Sequence, residues 1–276
     1  MLLLAAIPFG IAIGLAVGAL GGGGSVLAVP VLVYVLGEDV ETATTVSLVV
    51  VTAAALAGGY GHALQGTVCW RHAALFTGAA LPGIVAGTVV GNAISGRAVI
   101  AGFAFVMLAA AAATWHKASA AEPAGQAGAS TPAAGDPRTG RDGSWCPSLR
   151  PARDIAAGLV VGLLTGLFGV GGGFVIVPAL AVALAFTIRS AIGTSLAIIV
   201  ATSMLGVVVH LSAGRTLDPE LTAVMAAACA AGGLAGARIG GLVPQRTLGR
   251  AFAAMVVAVS GYLLASAAFL GGLPTA

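Results

Sequence analysis

The stretch Gly21-Gly22-Gly23-Gly24-Ser25-Val26-Leu27-Ala28-Val29-Pro30 stands inside a segment, residues 1–37, that contains no charged side chain. As one straight helix these 37 residues would extend about 55 Å, whereas the hydrocarbon core of a bilayer is about 30 Å thick. Consecutive glycines weaken a helix, and a proline removes one of its backbone hydrogen bonds. The segment is therefore predicted to break at residues 21–24.

The composition of the whole chain indicates a membrane protein. Of its 276 residues, 59% are hydrophobic and 8% are charged, against about a quarter charged in soluble domains. So few charges cannot cover a surface that faces water. Since one span takes about 20 residues, the chain has room for about eight spans and a linker.

Apolar segments recur along the rest of the chain, separated by short connections that hold most of the charges. They lie at roughly 43–63, 73–94, 98–115, 155–186, 190–212, 220–243 and 249–270. Residues 118–152 differ, because they are rich in Ala, Gly, Ser and Pro and resemble a flexible linker. The predicted organisation is a first transmembrane repeat (1–117), a cytoplasmic linker (118–152) and a second transmembrane repeat (153–276).

An internal repeat underlies this division. A shift of 148 positions lays five glycines of the second half, at 162, 166, 169, 171 and 172, on glycines 14, 18, 21, 23 and 24. The same shift pairs Pro178 with Pro30, Ser195 with Ser47, and His210 with His62. Glycines coincide easily in a glycine-rich chain, but a proline and two of four histidines in the same register do not. The pattern predicts two homologous four-segment repeats.

The relative orientation of the repeats follows from the placement of Lys and Arg. If each glycine run folds back as a re-entrant hairpin, the halves are inverted. Nearly all the positive side chains then lie on one side of the membrane, and Arg97 and Arg215 lie on the other. If each broken segment crosses once, the halves are parallel and the charges divide more evenly. The positive-inside rule favours the inverted arrangement. The predicted fold is thus an all-α polytopic membrane protein with broken or re-entrant first helices in inverted repeats.

The two glycine runs are the first candidates for a binding site. A helical segment that starts at such a break carries N–H groups without intrahelical partners and a positive dipole end, which attracts anions. Two related breaks that meet near the midplane would form one site from both halves. Gly23, Gly24, Gly171 and Gly172 are the predicted donors. The alternative is close helix packing, as expected for the Gly14-x-x-x-Gly18 and Gly162-x-x-x-Gly166 pairs.

Hydroxyl groups near the start of the following segments are the second candidates. They are Thr44, Thr45 and Ser47 in the first half, and Thr194 and Ser195 in the second. Each can donate to an oxyanion or bond back to its own helix. Ser47 and Ser195 occupy matching positions, so Ser47, Thr194 and Ser195 complete the predicted substrate site.

His62 and His210 are candidates for proton coupling, because they occupy matching positions within apolar segments and titrate near neutrality. The alternative is a neutral histidine that caps a helix end. No Asp or Glu lies inside a predicted apolar segment, which disfavours cation carriers and carboxylate proton relays. Arg238 lies within such a segment, six residues before Pro244, where it can snorkel to the interface or contact an anion.

The cysteines and the charge distribution suggest no cofactor. Cys69, Cys146 and Cys229 have neither metal-ligand spacing nor an even count, so unpaired thiols are expected and no metal site is predicted. No basic patch suggests nucleic acid as a partner.

One family combines these motifs. The segment Gly169-Val170-Gly171-Gly172-Gly173-Phe174-Val175-Ile176-Val177-Pro178 is similar to the signature of the TauE/SafE sulfite-exporter family. Gly193-Thr194-Ser195-Leu196 and the His-x-x-x-Gly pairs at 62–66 and 210–214 resemble it too. The resemblance implies a transporter with about eight membrane segments for sulfite, sulfonates or related organosulfur anions. The first copy departs from it, with Ser25 in place of Gly173 and Val46 in place of Thr194.

The sequence therefore predicts a multi-pass transporter of the inner membrane, and not an enzyme. A passive anion channel is one alternative. An intramembrane Ser/His hydrolase is another, although Ser195 and His210 would lie about 22 Å apart along one helix. The expected partners are a small anionic substrate, the lipid bilayer and a second copy in a homodimer.

Overall fold

The computed structural model describes residues 2–92, 102, 105–115, 146–168, 173–212 and 217–269, and contains no strand within them. Its helices are α1 (Leu2–Leu20), α2 (Ser25–Pro30), α3 (Val40–Leu64), α4 (Trp70–Asn92), α5 (Phe105–Trp115), α6 (Pro151–Phe168), α7 (Gly173–Pro178), α8 (Ile188–Ser212), α9 (Pro219–Leu242) and α10 (Gln245–Phe269). Among the described residues, five stretches are by length and composition apolar enough to cross a membrane: Ala6–Val33, Thr42–Leu64, Trp70–Gly91, Ile188–Ser212 and Pro219–Leu242. The prediction of an all-α polytopic membrane protein is confirmed.

The first segment is broken at the glycine run, as predicted. α1 ends at Leu20, Gly21 has φ +75°, and a 3-10 turn spans Gly21–Gly24. A Cβ built on Gly24 would lie 2.6 Å from the backbone nitrogen of Val17, whereas residues seven apart in a straight helix are separated by about 10 Å. The chain therefore folds back beside the end of α1. Of the second run, Gly169, Gly171 and Gly172 lie outside the described residues.

The element bounds on the two sides of the linker recur at one spacing. The first residues of α3 and α8, Val40 and Ile188, are 148 positions apart, and so are their last residues. α2 and α7 are related in the same way, and each runs into a five-residue π-helical turn, at Val31–Val35 and Ala179–Ala183. These bounds fall on the register of the sequence repeat, which itself stays a prediction.

α3 and α8 pack against each other and run antiparallel. Thr45, near the start of α3, bonds to His210, near the end of α8. At the other end, a Cβ on Gly193, near the start of α8, would lie 3.3 Å from the Cβ of His62, near the end of α3. Inverted repeats require that matched helices run in opposite directions. The inversion of the halves as a whole remains a prediction.

Glycines at every fourth position make two helix pairs very close. In the α1–α9 pair, a Cβ on Gly14 would overlap the carbonyl of Cys229. In the α4–α6 pair, a Cβ on Gly162 would overlap the carbonyl of Ala80, and one on Gly166 that of Ile84. Backbones approach this closely only where side chains are absent. Close packing, the alternative that the sequence left open, is therefore the role of these glycines.

The expectation of three unpaired thiols is wrong for two of them. Cys69 and Cys146 form a disulfide across 77 residues of sequence, with their Cα atoms 5.7 Å apart. Cys229 is free and buried, and its thiol donates to the carbonyl oxygen of Gly10. The pairing depends on the fold, which places the α3–α4 connection beside the residues that precede α6. That helix begins at Pro151, two residues before the predicted start of the second repeat at 153.

Candidate functional site

The broken segment of the first half meets the start of α7. A Cβ on Gly22 would overlap the carbonyl of Gly173, and one on Gly173 would lie 2.9 Å from the hydroxyl oxygen of Ser25. Gly21–Gly24 are all buried. We call this contact region the glycine junction and define it by Gly21–Gly24 and Gly173. It brings together Gly22 and Gly173, which lie 151 residues apart in the chain.

Ser195 of α8 lies at the edge of the glycine junction. A Cβ on Gly21 would lie 2.7 Å from the Ser195 hydroxyl oxygen and 2.8 Å from a methyl group of Val177. Any side chain at residue 21 would therefore displace that hydroxyl, and its positive φ disfavours all residues except glycine. Ser195 is fully buried, and its hydroxyl donates to the carbonyl oxygen of Ile192, 2.8 Å away.

The predicted donors Gly23 and Gly24 lie on other sides of the junction. Gly23 faces the ring of Phe252 of α10, and Gly24 faces Val17 of α1. The residues from Gly21 to Val35 form consecutive 3-10, α and π turns. The glycines are therefore the first residues of a helical run, and the positive end of its dipole lies at the junction.

The other predicted hydroxyls are placed differently. The hydroxyl of Ser47 donates to the carbonyl oxygen of Thr44 at 2.9 Å, as its counterpart Ser195 does three residues back along its own helix. Thr194 accepts a hydrogen bond from the backbone N–H of Cys69 at 3.1 Å. The Thr194 hydroxyl thus contacts the α3–α4 connection, and it is not among the atoms nearest to Gly21–Gly24 or Gly173.

His62 is buried with both ring nitrogens in hydrogen-bond contact. Nε2 lies 3.1 Å from the carbonyl oxygen of Gly18, and Nδ1 lies 3.2 Å from the hydroxyl oxygen of Thr67. Since a carbonyl oxygen only accepts, Nε2 carries a proton. Gly18 is three residues before the break at Gly21, so His62 holds the end of α1. Sequence reasoning missed Thr67, which follows the end of α3.

His210 has a more open environment. It is only partly buried, and its Nδ1 lies 3.0 Å from the hydroxyl oxygen of Thr45. The residue that matches Thr45 at the repeat spacing of 148 is Gly193, which lies against His62. There the hydroxyl of Thr67 fills the space, 2.8 Å from a Cβ built on Gly193.

A buried ion pair was missed entirely. Nδ1 of His72 on α4 lies 2.6 Å from Oδ1 of Asp154 on α6, and both side chains are buried. Asp154 stands one residue before the apolar segment predicted to start at 155, which is why no acidic residue was found inside a segment. An aspartate that directly precedes a long uncharged run was the signal available.

A small recess lies apart from the glycine junction, between α3 and α9. Its volume is about 200 Å³, and Tyr60, Gln65, Leu234 and Arg238 contribute to its lining. The Arg238 side chain is exposed. Of the residues that the structure describes, no three or more His, Cys, Asp or Glu lie close enough together to hold a metal ion.

Comparisons with known proteins identify the family. The profile described as Sulfite exporter TauE/SafE matches residues 6–263. A "Probable membrane transporter protein" of Xylella fastidiosa (strain 9a5c) is 32% identical over 95% of each chain. The "Probable membrane transporter protein YunE" of Bacillus subtilis (strain 168) is 30% identical over 71% of this chain and 73% of its own. No solved structure gives a significant match. The chain is a membrane transporter and belongs to the TauE/SafE sulfite-exporter family.

Proposed function

We propose that this transporter exports a small anion, such as sulfite, a sulfonate or a related organosulfur compound, through the glycine junction. The observation that supports the proposal most is the contact of Gly22 with Gly173, which joins the broken segment of one half to the start of α7 in the other. Repeat transporters bind their substrates where such interrupted helices meet.

The chemistry of the junction suits an anion. The helical run from Gly21 places a positive dipole end at the junction without a formal charge. The side chains that face these glycines belong to Val17, Val177, Ser195, Phe252 and Met255, and none is acidic. A cation would therefore find no carboxylate among these contacts, whereas an oxyanion would meet the positive end of the dipole.

Ser47 and Ser195 are proposed to donate to the anion in turn. Each hydroxyl now bonds to a carbonyl oxygen of its own helix. A serine hydroxyl can rotate away from such a bond at little cost, since the bond contributes only about 1 kcal/mol net. An oxyanion that enters the junction offers Ser195 a charge-assisted partner, which is stronger.

We also propose that the linker lies on the cytoplasmic side of the inner membrane. Most of the Lys and Arg residues lie at helix ends on the same side of the membrane as the linker, and such residues are enriched on the cytoplasmic side. The Cys69–Cys146 disulfide lies at the same end, and structural disulfides are rare in the cytoplasm. The bond would then be reducible in the cell. After reduction, a membrane-impermeant maleimide should label Cys146 in inverted vesicles and not in intact cells. Labelling in intact cells alone would reverse the assigned orientation.

A flux experiment tests the proposed route. In Gly22→Ala, the added methyl group overlaps the Gly173 carbonyl, so sulfite flux into proteoliposomes should fall by about tenfold or more. Gly78→Ala is the matched control, because a Cβ there meets nothing within 4 Å. Equal flux in the two variants, with equal amounts of folded protein in the liposomes, would exclude the junction as the route.

A further inference from the structure

The ends of α4 and α6 nearest the linker hold a second polar cluster. His72 and Asp154 form its centre, and Phe186 covers the imidazole with an edge-on contact at 4.9 Å between ring centroids. Neither the glycine junction nor the histidines of α3 and α8 take part in it. Acidic and basic side chains buried among membrane helices are rare, and they commonly mark pathways for ions or protons.

The hydrogen-bond geometry fixes how many protons the pair holds. Nε2 of His72 lies 3.1 Å from the carbonyl oxygen of Pro147, which only accepts, so Nε2 carries a proton. Nδ1 and the Oδ1 atom of Asp154 are 2.6 Å apart. Two electronegative atoms approach this closely when a proton lies between them. The pair therefore holds a second, shared proton and is neutral overall.

Loss of the shared proton would be costly in this conformation. It would leave two lone pairs facing each other and a negative charge on a carboxylate that is fully buried. The other carboxylate oxygen, Oδ2, is buried and has no hydrogen-bond partner among the described residues. Apart from the positive dipole end of α6, in whose first turn Asp154 lies, nothing in the described structure compensates that charge. The proton can leave when water reaches the carboxylate or when α4 and α6 separate at this end.

We propose that the His72–Asp154 pair is the proton-binding site of this transporter and binds one proton in each transport cycle. The proposal rests on the transport function proposed above. The proton comes from the aqueous phase and returns to it, and only N–H and O–H bonds form and break. The charged side chains adjacent in sequence are Arg71, Arg150 and Arg153, all exposed, and Arg153 bonds to the carbonyl of Ala183. His72 is the one ion-pair partner of Asp154 within the described chain.

When it is formed, the disulfide positions this site. Cys146 directly precedes Pro147, whose carbonyl accepts from His72. Its disulfide partner, Cys69, is three residues before His72 in the chain. The disulfide therefore holds the acceptor of Nε2 against α4. This carbonyl fixes the proton on Nε2 and leaves Nδ1 to share the proton with Asp154.

Two measurements on the full-length protein test the proposal. The first compares accumulation of radiolabelled sulfite, driven by a pH difference of either polarity, with sulfite exchange at equal pH. A pH difference of about one unit supports about a tenfold concentration ratio for each coupled proton. Asp154→Asn and His72→Gln should lose this ratio and keep exchange within about twofold of the parent protein, because exchange needs no net proton movement. The control Glu220→Gln removes an exposed carboxylate at the start of α9 and should behave like the parent.

The second measurement does not depend on transport. Infrared difference spectra between low and high pH should contain a carboxyl or imidazole signal that disappears in both Asp154→Asn and His72→Gln. If the parent protein carries no sulfite, the substrate proposal fails, and a titrating signal would still support the proton site. Absence of that signal would overturn the site. So would pH-driven accumulation by Asp154→Asn at the parent level, or loss of exchange together with accumulation in both variants, since the pair would then be merely structural.

Discussion

His62 and His210 occupy matching positions near the ends of α3 and α8, but they differ in burial and in hydrogen-bond partners. His62 is fully buried and bonds to α1 and to the α3–α4 connection. His210 is partly exposed and bonds to Thr45 of α3. At the predicted repeat spacing the two histidines have the same place along their helices, whereas their surroundings differ. Such a difference allows one copy to hold the fold together while the other stays accessible.

The two histidines differ because the residues that face them from the neighbouring helix differ. Thr45 supplies a hydroxyl to His210, but the matching residue, Gly193, has no side chain to offer His62. The hydroxyl of Thr67 takes that role from the connection after α3. The same hydroxyl lies 3.0 Å from the backbone carbonyl oxygen of His62, a second acceptor for its one proton, and so ties the connection to the helix end. Two different sequences thus each supply a hydroxyl to an imidazole near the end of a helix.

The largest predicted difference is between the losses of unfolding free energy that His62→Ala and His210→Ala cause. His62→Ala removes the partner of a buried carbonyl oxygen on Gly18 and empties a packed site, which should cost about 2–4 kcal/mol. His210→Ala breaks a partly exposed bond and should cost about 1 kcal/mol or less. Thermal unfolding of the two purified variants in the same detergent measures the difference. Equal losses would mean that burial does not distinguish the two copies.

A smaller loss of stability is expected when Gly193 of α8 is replaced by threonine, the residue at the matching position of α3. Gly193→Thr places a side chain on the hydroxyl of Thr67, and the overpacking should cost about 1–3 kcal/mol. Combining it with Thr67→Ala should recover most of that loss, because the new hydroxyl can then serve His62 as Thr45 serves His210. A double-mutant cycle of unfolding temperatures tests the coupling. Simply additive losses would refute the proposed exchange of roles.

Much of the fold could be predicted from the sequence, because its main constraints are local. The uncharged stretch of residues 1–37 is too long for one span, and four glycines in its middle leave one place to break. Gly14 and Gly18, spaced by four, indicate a helix face without side chains, which the structure packs against α9. In both cases the position of a residue along one helix was enough.

The candidate site could be predicted only in part, because its contacts depend on how each helix is rotated about its axis. Amphipathic helices reveal their inner face, but these helices are apolar on every side. The sequence therefore could not tell that Ser195 faces Gly21 while its neighbour Thr194 faces Cys69. The Cys69–Cys146 bond and the His72–Asp154 pair join residues about 80 positions apart, and no local pattern encodes such a pairing.

The location of a bound anion shows whether the glycine junction is the substrate site. Selenite has nearly the shape and charge of sulfite, and its selenium atom can be located by anomalous diffraction from crystals grown with it. We expect an anomalous peak within hydrogen-bond reach of the backbone at Gly21–Gly24 and Gly173, next to the hydroxyl of Ser195. A peak only at the Arg238 recess, with an empty junction in the same crystal, would contradict it.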